Sequence, residues 1–534
     1  MTTRKTKAAG KRTTQTTTTE TASKNSLRVR MYRVGFGDFF MVIVPTSSGD
    51  KHILIDCGVF KGTSGTGDLG SINDAVEDMF QTTGGKLALV IMTHRHADHI
   101  AGFKAERFKD FKASMVWMPY WEQFNEKKAD GGVNLQLDTQ SLAANLANVA
   151  LQLSGGENAD ATKVLLQLGK PNGAEDVNSA HNLLVNIQDL AANLAIQFRG
   201  RDDADAKEAL AQLGNATGIE DFNAAATDKK KLAGNAAALD MLKNHLGSNG
   251  DNVRYYAAND KPDLPDELKG LKATILGPPP EKAKAFLALM DLKKGVGQYL
   301  DSMTDGTDGP GPIQPFANEW IAKVKDYPQQ DTLKYDDIMQ RVNTAQPDML
   351  ATAAAKIENF LNNQSLVVLF EFDGKKLLFA GDAQGGNWEY WLYKMEAPLK
   401  DPTDAGDIVE ASKELLQTID FYKVGHHGST NATPIPVVDA ASARPKTSKG
   451  FVSMCSTEVG VYGNPKKETE VPRVLLMDEL NKGSCLVRSD SIAITFTDKT
   501  TNEKKTIDAT EGVKFPKPKA GTLTKTKLYI EYAL

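Results

Sequence analysis

The sequence predicts a mixed α/β fold of the α+β kind, and three observations carry that expectation. Several short runs of apolar and β-branched residues have strand length and end on histidine or aspartate. A turn signal, Asp373-Gly374, joins two such runs into a hairpin. A block rich in alanine and leucine at helical spacing interrupts the strands.

In chain order, residues 1–26 (MTTRKTKAAGKRTTQTTTTETASKNS) are basic and threonine-rich without an apolar segment. They read as a disordered basic tail, with a nucleic-acid-binding arm as the sharper alternative, and not as a secretory signal. KHILID is a strand that closes on Asp56, before Cys57-Gly58. KLALVIMT has the length and character of a buried strand, and the loop that leaves it is THRHADHIAGF. Three of the chain's eight histidines and an aspartate fall within six residues there. In an extended loop the side chains of His94 and His96 point the same way. Asp98 and His99 follow once the chain has begun to turn into a helix over IAGFKAERFKDF, and they aim at a second point. Nitrogen and oxygen ligands at two neighbouring points suit a pair of divalent cations.

Two later segments supply further ligand types. The hairpin strands SLVVLFEF and KKLLFA lead to Gly381-Asp382, where Asp382 is either a metal-bridging carboxylate or a plain helix N-cap. IDFYKVGHHGS is a strand that ends on His426 and His427. Spacing does not decide which of the two would bind a metal, so both are candidates, the other being an outer or substrate-facing group. Lys423 and Ser429 flank them and could hold a substrate phosphate oxygen, although Lys423 could equally lie on a solvated strand face.

Composition narrows the class. A chain of 534 residues with 41% hydrophobic residues has material for a large core and more than one domain. No apolar run approaches the ~18 residues of a membrane span. Cys57, Cys455 and Cys485 are widely spaced and form no CxxC, which favours a reducing, cytoplasmic setting over disulfides or a thiolate metal site. A net charge of −5 gives no overall attraction to nucleic acid.

These segments, taken in order, resemble the metallo-β-lactamase-fold hydrolases, most closely the soluble hydrolase domain of the competence protein ComEC. VGFGD (34–38), LIDCG around Asp56, THRHADHIAG, NNQSLVVLFEF, LLFAGDA, YKVGHHGS, RPK (444–446), VYGNP (461–465) and GSCLVRSDSIAITF (483–496) follow the group's order. The resemblance implies an αββα metallo-β-lactamase sandwich with a helical-repeat insertion. Its parts are the sandwich over 27–124, the insertion over 125–270, a return link over 271–280 and a second helical and linker insertion over 281–356. The second half of the sandwich, with C-terminal strands, takes 357–534. It further implies two divalent metal ions, Zn²⁺ or Mn²⁺, on His94, His96, Asp98, His99, Asp382 and His426 or His427. Asp56 is then expected to aim a metal-activated hydroxide, which makes Asp56, Asp98, Lys423 and Asn464 the catalytic candidates, and Ser429 with Lys423 the substrate-binding ones. Two departures stand out: Asn464 occupies a position that is usually histidine, and only His181 and His245 lie between the first loop and Asp382 to complete the first site.

SLAANLANVALQL at 141 recurs as DLAANLAIQF at 189, LGKPNGAEDVN at 168 recurs as LGNATGIEDFN at 213, and KLAGNAAALDMLKNHLG is a partial third copy. Such units bury their faces by stacking, and the array would sit near the mouth of the site as a lid or a docking surface for a protein partner. MVWMPYWEQF (115–124) is expected to pack beneath it. The expected function is therefore a metal-dependent phosphodiesterase or nuclease acting on DNA. A hydrolase of small esters, lactones or lactams, and a partner-binding module with a degenerate metal site, are the alternatives.

Overall fold

The computed structural model describes residues 26–60, 70–125, 234–288, 361–394, 407–429, 431, 433–444, 450–461, 470–490, 494–497, 504–507 and 517–534. The strands of its two main sheets are β1 (Arg28–Tyr32), β2 (Phe39–Val44), β3 (Lys51–Cys57), β4 (Leu89–Ile91), β5 (Val116–Pro119) and β6 (Val253–Tyr256). They continue with β7 (Lys272–Gly277), β8 (Val367–Phe372), β9 (Lys375–Phe379), β10 (Phe421–Lys423), β11 (Val452–Cys455), β12 (Cys485–Arg488), β13 (Thr522–Lys525) and β14 (Tyr529–Ala533). The helices are α1 (Ile72–Thr83), the single turns α2 (Ala97–Ile100) and α3 (Ala105–Phe108), α4 (Gly234–Asp240), α5 (Gly385–Tyr393), α6 (Glu410–Thr418), α7 (Ile435–Ser442) and α8 (Val474–Gly483).

The strands form an eight-stranded sheet, β13-β14-β1-β2-β3-β4-β5-β6, and a six-stranded sheet, β12-β11-β10-β9-β8-β7. Period-two alternation divides each strand between two environments. In β2 every residue is buried: Phe40, Val42 and Val44 join a core shared with Val368, Phe370, Leu377 and Phe379 of the second sheet. Phe39, Met41 and Ile43 pack with Ala75, Val76 and Met79 of α1 on the other face. Leu369, Leu378 and Tyr422 turn outward to meet Trp388, Leu416, Val437 and Leu480 of α5 to α8. The two sheets therefore lie face to face with helices outside both, a mixed α/β arrangement in four layers.

The predicted hairpin is present, with φ of 48° at Asp373 and 71° at Gly374 and β8 antiparallel to β9. Trp117, Met118 and Trp121 are buried, and Trp121 donates its indole N–H to the Pro279 carbonyl at 3.0 Å; the insertion beneath which this run is expected to pack lies outside the described residues. The helix expected over 100–111 is instead two separate turns, α2 and α3. Gly102 sits between them, close enough to Cys57 that a side chain there would overlap its sulfur.

The boundary of the first insertion, drawn from the sequence at 125–270, is corrected. β6 pairs in parallel with β5 as a strand of the first sheet, and Leu239, Leu242 and Leu246, in the third repeat copy, belong to the same core as α1. The return link 271–280 is likewise an integral strand, β7, paired with β8. The first two repeat copies, His181, the tail before Ser26 and most of 281–356 lie outside the described residues. Among the described residues no helix is long and apolar enough to cross a membrane.

Candidate metal centre

The parallel pairings β3 to β6 and β9 to β12 place several strand ends on one side of the sandwich, where parallel sheets present their functional groups. Asp56 closes β3, His94 follows β4, Asp382 follows β9 and His427 follows β10. Backbone stitching then draws the loops together. Asp38 N–H donates to the Asp98 carbonyl at 2.8 Å, and Gly58 N–H donates to the Asp38 carbonyl at 2.9 Å. A Cβ at Gly58 would overlap the Asp98 backbone, so only glycine permits this approach. Gly381, at φ +55°, lies against Thr93 and Ser365 for the same reason.

Ligand atoms of Asp98, His99, Asp382 and His427, all buried, lie within 4.8 Å of one another. His99 Nε2 is 3.0 Å from Asp382 Oδ2 and 3.9 Å from Asp98 Oδ1; His427 Nε2 is 2.9 Å from Asp98 Oδ2 and 3.9 Å from Asp382 Oδ2. Ligand bonds of about 2.0–2.2 Å in a tetrahedron put neighbouring donor atoms about 3.3–3.6 Å apart, in the middle of this range. His99 Nε2 and Asp382 Oδ2 are buried and face each other across the cluster. Two imidazoles and two carboxylates with inward-facing atoms of this kind fit a divalent cation.

The outer partners fix which atom points inward. His99 Nδ1 is 2.8 Å from Asp56 Oδ2, and His427 Nδ1 is 2.8 Å from the Ser456 carbonyl, which leaves each Nε2 directed at the cluster. Asp56, at φ 54°, also accepts from Thr93 N at 2.8 Å and Thr93 Oγ1 at 2.6 Å. Oδ2 thus orients His99 while Oδ1 is engaged by the Thr93 N–H, which makes Asp56 an outer partner of the cluster. Asp56→Asn is expected to weaken divalent-ion binding about 10–100-fold, measured by competition with a chelating indicator, with the folded state retained. Unchanged affinity would remove the orienting role.

Burial alone would keep His99 neutral, but Asp382, Asp38, Asp56 and Asp98 together hold its pKa well above the ordinary imidazole value. Burial raises Asp98 and Asp382, and their imidazole neighbours, with Lys423 for Asp382, more than offset that, so both stay well below the usual carboxylate range. His94 is pushed well down by burial and by His99 and His96, so it is a neutral ligand-type imidazole. A cation held by this cluster would take the place of the His99 proton.

The remaining candidates divide. His94 Nε2 and His96 Nδ1 lie 3.0 Å apart, a pair in itself. Among the described residues no third histidine, cysteine or acid closes on that pair to make a group of three within 4.8 Å. His245 bonds the Phe108 carbonyl at 3.1 Å and is not part of the site. The half-buried His426 stands outside the cluster. Its N–H donates to Asp382 Oδ1 at 2.8 Å, and its ring Nδ1 is 3.1 Å from Gln384 Nε2 and 2.9 Å from Asn431 Oδ1. Of the adjacent pair, His427 is therefore the ligand-type residue. Gln384, and not Asp382, is the N-cap of α5.

Lys423 departs most from expectation. It is buried, and its ammonium pairs with Asp38 Oδ2, lies 3.2 Å from Asp382 Oδ1 and donates to the Gly381 carbonyl at 2.9 Å. It therefore has no capacity to grip a substrate phosphate, and neither a solvated face nor a substrate role describes it. Ser429 is half-buried just beyond the histidine turn, and Asn464 lies outside the described residues. Asp38, Thr93 and Ser456 went unrecognised as individual contributors in the sequence; Asp38 was visible only as the last residue of VGFGD. A second acid group, Asp38 and Asp56 with His99, has its oxygens bonded by Lys423, Ser456 and Thr93, so it supports the cluster from behind. No protein-family model matches the chain, and no curated protein matches it in sequence.

Proposed function

We propose that the chain is a divalent-metal-dependent hydrolase of the metallo-β-lactamase type. Within that class we read it as a phosphodiesterase, with DNA the foremost substrate. The observation that carries this reading is the convergence of Asp98, His99, Asp382 and His427, from three separate strand ends, on one buried point. The mixed nitrogen and oxygen donors suit Zn²⁺ or Mn²⁺. Bound there, such an ion supplies a water of lowered pKa and neutralises charge growing on the substrate oxygens, which a phosphodiester exploits more than a neutral ester does.

The chain's own residues do the rest. Asp56 and the Ser456 carbonyl hold the two imidazoles in the tautomers that keep Nε2 available, Lys423 fixes one oxygen of Asp382, and the half-buried His426 and Ser429 are the groups a substrate would meet. His94 and His96 form a two-imidazole half-site for a second, weaker ion. That half-site is also the feature favouring the partner-binding alternative, in which catalysis is residual. Three free cysteines fit a reducing compartment.

The test is to incubate the purified chain with single- and double-stranded DNA, RNA and a simple bis-phosphodiester under Mn²⁺ and under Zn²⁺, beside Asp98→Ala. Metal-dependent cleavage that Asp98→Ala lowers at least about 100-fold is expected. Cleavage indifferent to the substitution, or no cleavage with either metal, removes the nuclease reading.

A further inference from the structure

Arg95 lies between His94 and His96, and both of its polar ends are pinned. Its guanidinium makes a two-pronged pair with Glu122, Nε to Oε1 at 2.7 Å and Nη2 to Oε2 at 2.6 Å. Its carbonyl accepts from Asn235 Nδ2 at 2.6 Å. Glu122 is itself buried, its backbone carbonyl accepts from Lys243 Nζ at 2.8 Å, and against the upward push of burial Arg95 and Lys243 hold its carboxyl low. In the sequence Glu122 comes just before residues 126–233 and Asn235 just after them. The two flanks of the long inserted segment thus meet on the one residue that separates the half-site histidines.

We infer that Arg95, clamped by Glu122 and Asn235, is a positioning residue that sets the directions of His94 and His96 and so makes the two-imidazole half-site usable. The inference rests on the metal reading above and deepens it. Fixing a residue at its side chain and its carbonyl fixes the peptide on each side, and with it the Cα–Cβ directions of both neighbours. The need is greatest at this half-site. Among the described residues no third histidine, cysteine or acid makes a group of three within 4.8 Å with that pair, so two coordinate bonds must offset the ordering of two side chains, and affinity depends on how much of that ordering is already done. The four-ligand cluster does not share this dependence, because Asp56 and the Ser456 carbonyl hold its imidazoles independently of Arg95.

The experiment compares the full chain with Arg95→Gln, Glu122→Gln, the paired Arg95→Gln/Glu122→Gln variant, which leaves no uncompensated buried charge, and the conservative Arg95→Lys. Hydrogen exchange on the metal-free proteins is expected to speed up about tenfold or more at residues 94–99 in the Gln variants, with β2 and β9 unchanged and Arg95→Lys intermediate. In Zn²⁺ titration the weaker of two binding steps is expected to lose about 10–100-fold while the tighter stays within about twofold. Exchange over 94–99 that matches the unsubstituted chain in the paired variant overturns the clamp, as does an equal loss at both binding steps. A chain that takes up no divalent ion, with the exchange difference intact, keeps the clamp and removes the metal reading instead.

Discussion

Asp382→Ala is expected to empty the four-ligand cluster and to abolish metal-dependent hydrolysis, a loss beyond the about 10–100-fold that follows from removing an outer partner. Asp382 does two things at once. Oδ2 faces His99 Nε2 at 3.0 Å, while Oδ1 accepts from the His426 N–H at 2.8 Å and lies 3.2 Å from Lys423 Nζ. Alanine removes the ligand oxygen and also releases the lysine and the histidine turn that frame it. Asp382→Asn separates the two effects: an amide keeps the shape and one acceptor but not the charge. The expected order of bound metal, measured by elemental analysis after gel filtration, is unsubstituted chain, then Asn, then Ala. Stoichiometric metal in Asp382→Ala would mean that ions bind elsewhere, and the site described above would be set aside.

Lys423→Met is expected to lower the stability of the metal-free chain by about 3–5 kcal/mol, the usual cost of leaving a buried charge without its partner. The groups that lose their lysine are Asp38 and Asp382, each 1% exposed or less. Methionine matches the lysine stem in length, so the change isolates the ammonium. Divalent metal should narrow the gap between the variant and the unsubstituted chain, because a cation at the cluster supplies to Asp382 some of the charge the lysine gave. Denaturant unfolding with and without Zn²⁺ measures both quantities. A variant within about 0.5 kcal/mol of the unsubstituted chain would show that these carboxylates are not held by Lys423.

Much of the site was legible because its parts are local. The run KLALVIMT followed by HRHADH shows a strand end with ligand-type residues, and Asp373-Gly374 specifies its hairpin by the positive φ that two-residue turns require. Asp56, Asp382 and His427 were likewise recognisable as strand-end residues. What could not be read was the direction in which each side chain is used. Asp56 was expected to aim a nucleophile, and its Oδ2 is turned to His99 Nδ1; Lys423 was expected near substrate or solvent and is sealed under Asp38 and Asp382. The third repeat copy has helical periodicity, as its relatives do, and periodicity alone does not reveal that its apolar face packs on the sandwich.

By itself the sequence determined the strands, the turns and the loops that carry histidine and aspartate, because these follow from neighbours a few residues apart. Only the tertiary structure decided which of His426 and His427 turns inward, that β6 and β7 belong to the sheets, and that Asp38 and Lys423 underlie the cluster. His427 meets Asp98 across 329 residues of chain. Such a meeting is set by how two sheets stack and by which strand ends they bring level, and no spacing along the sequence encodes that distance.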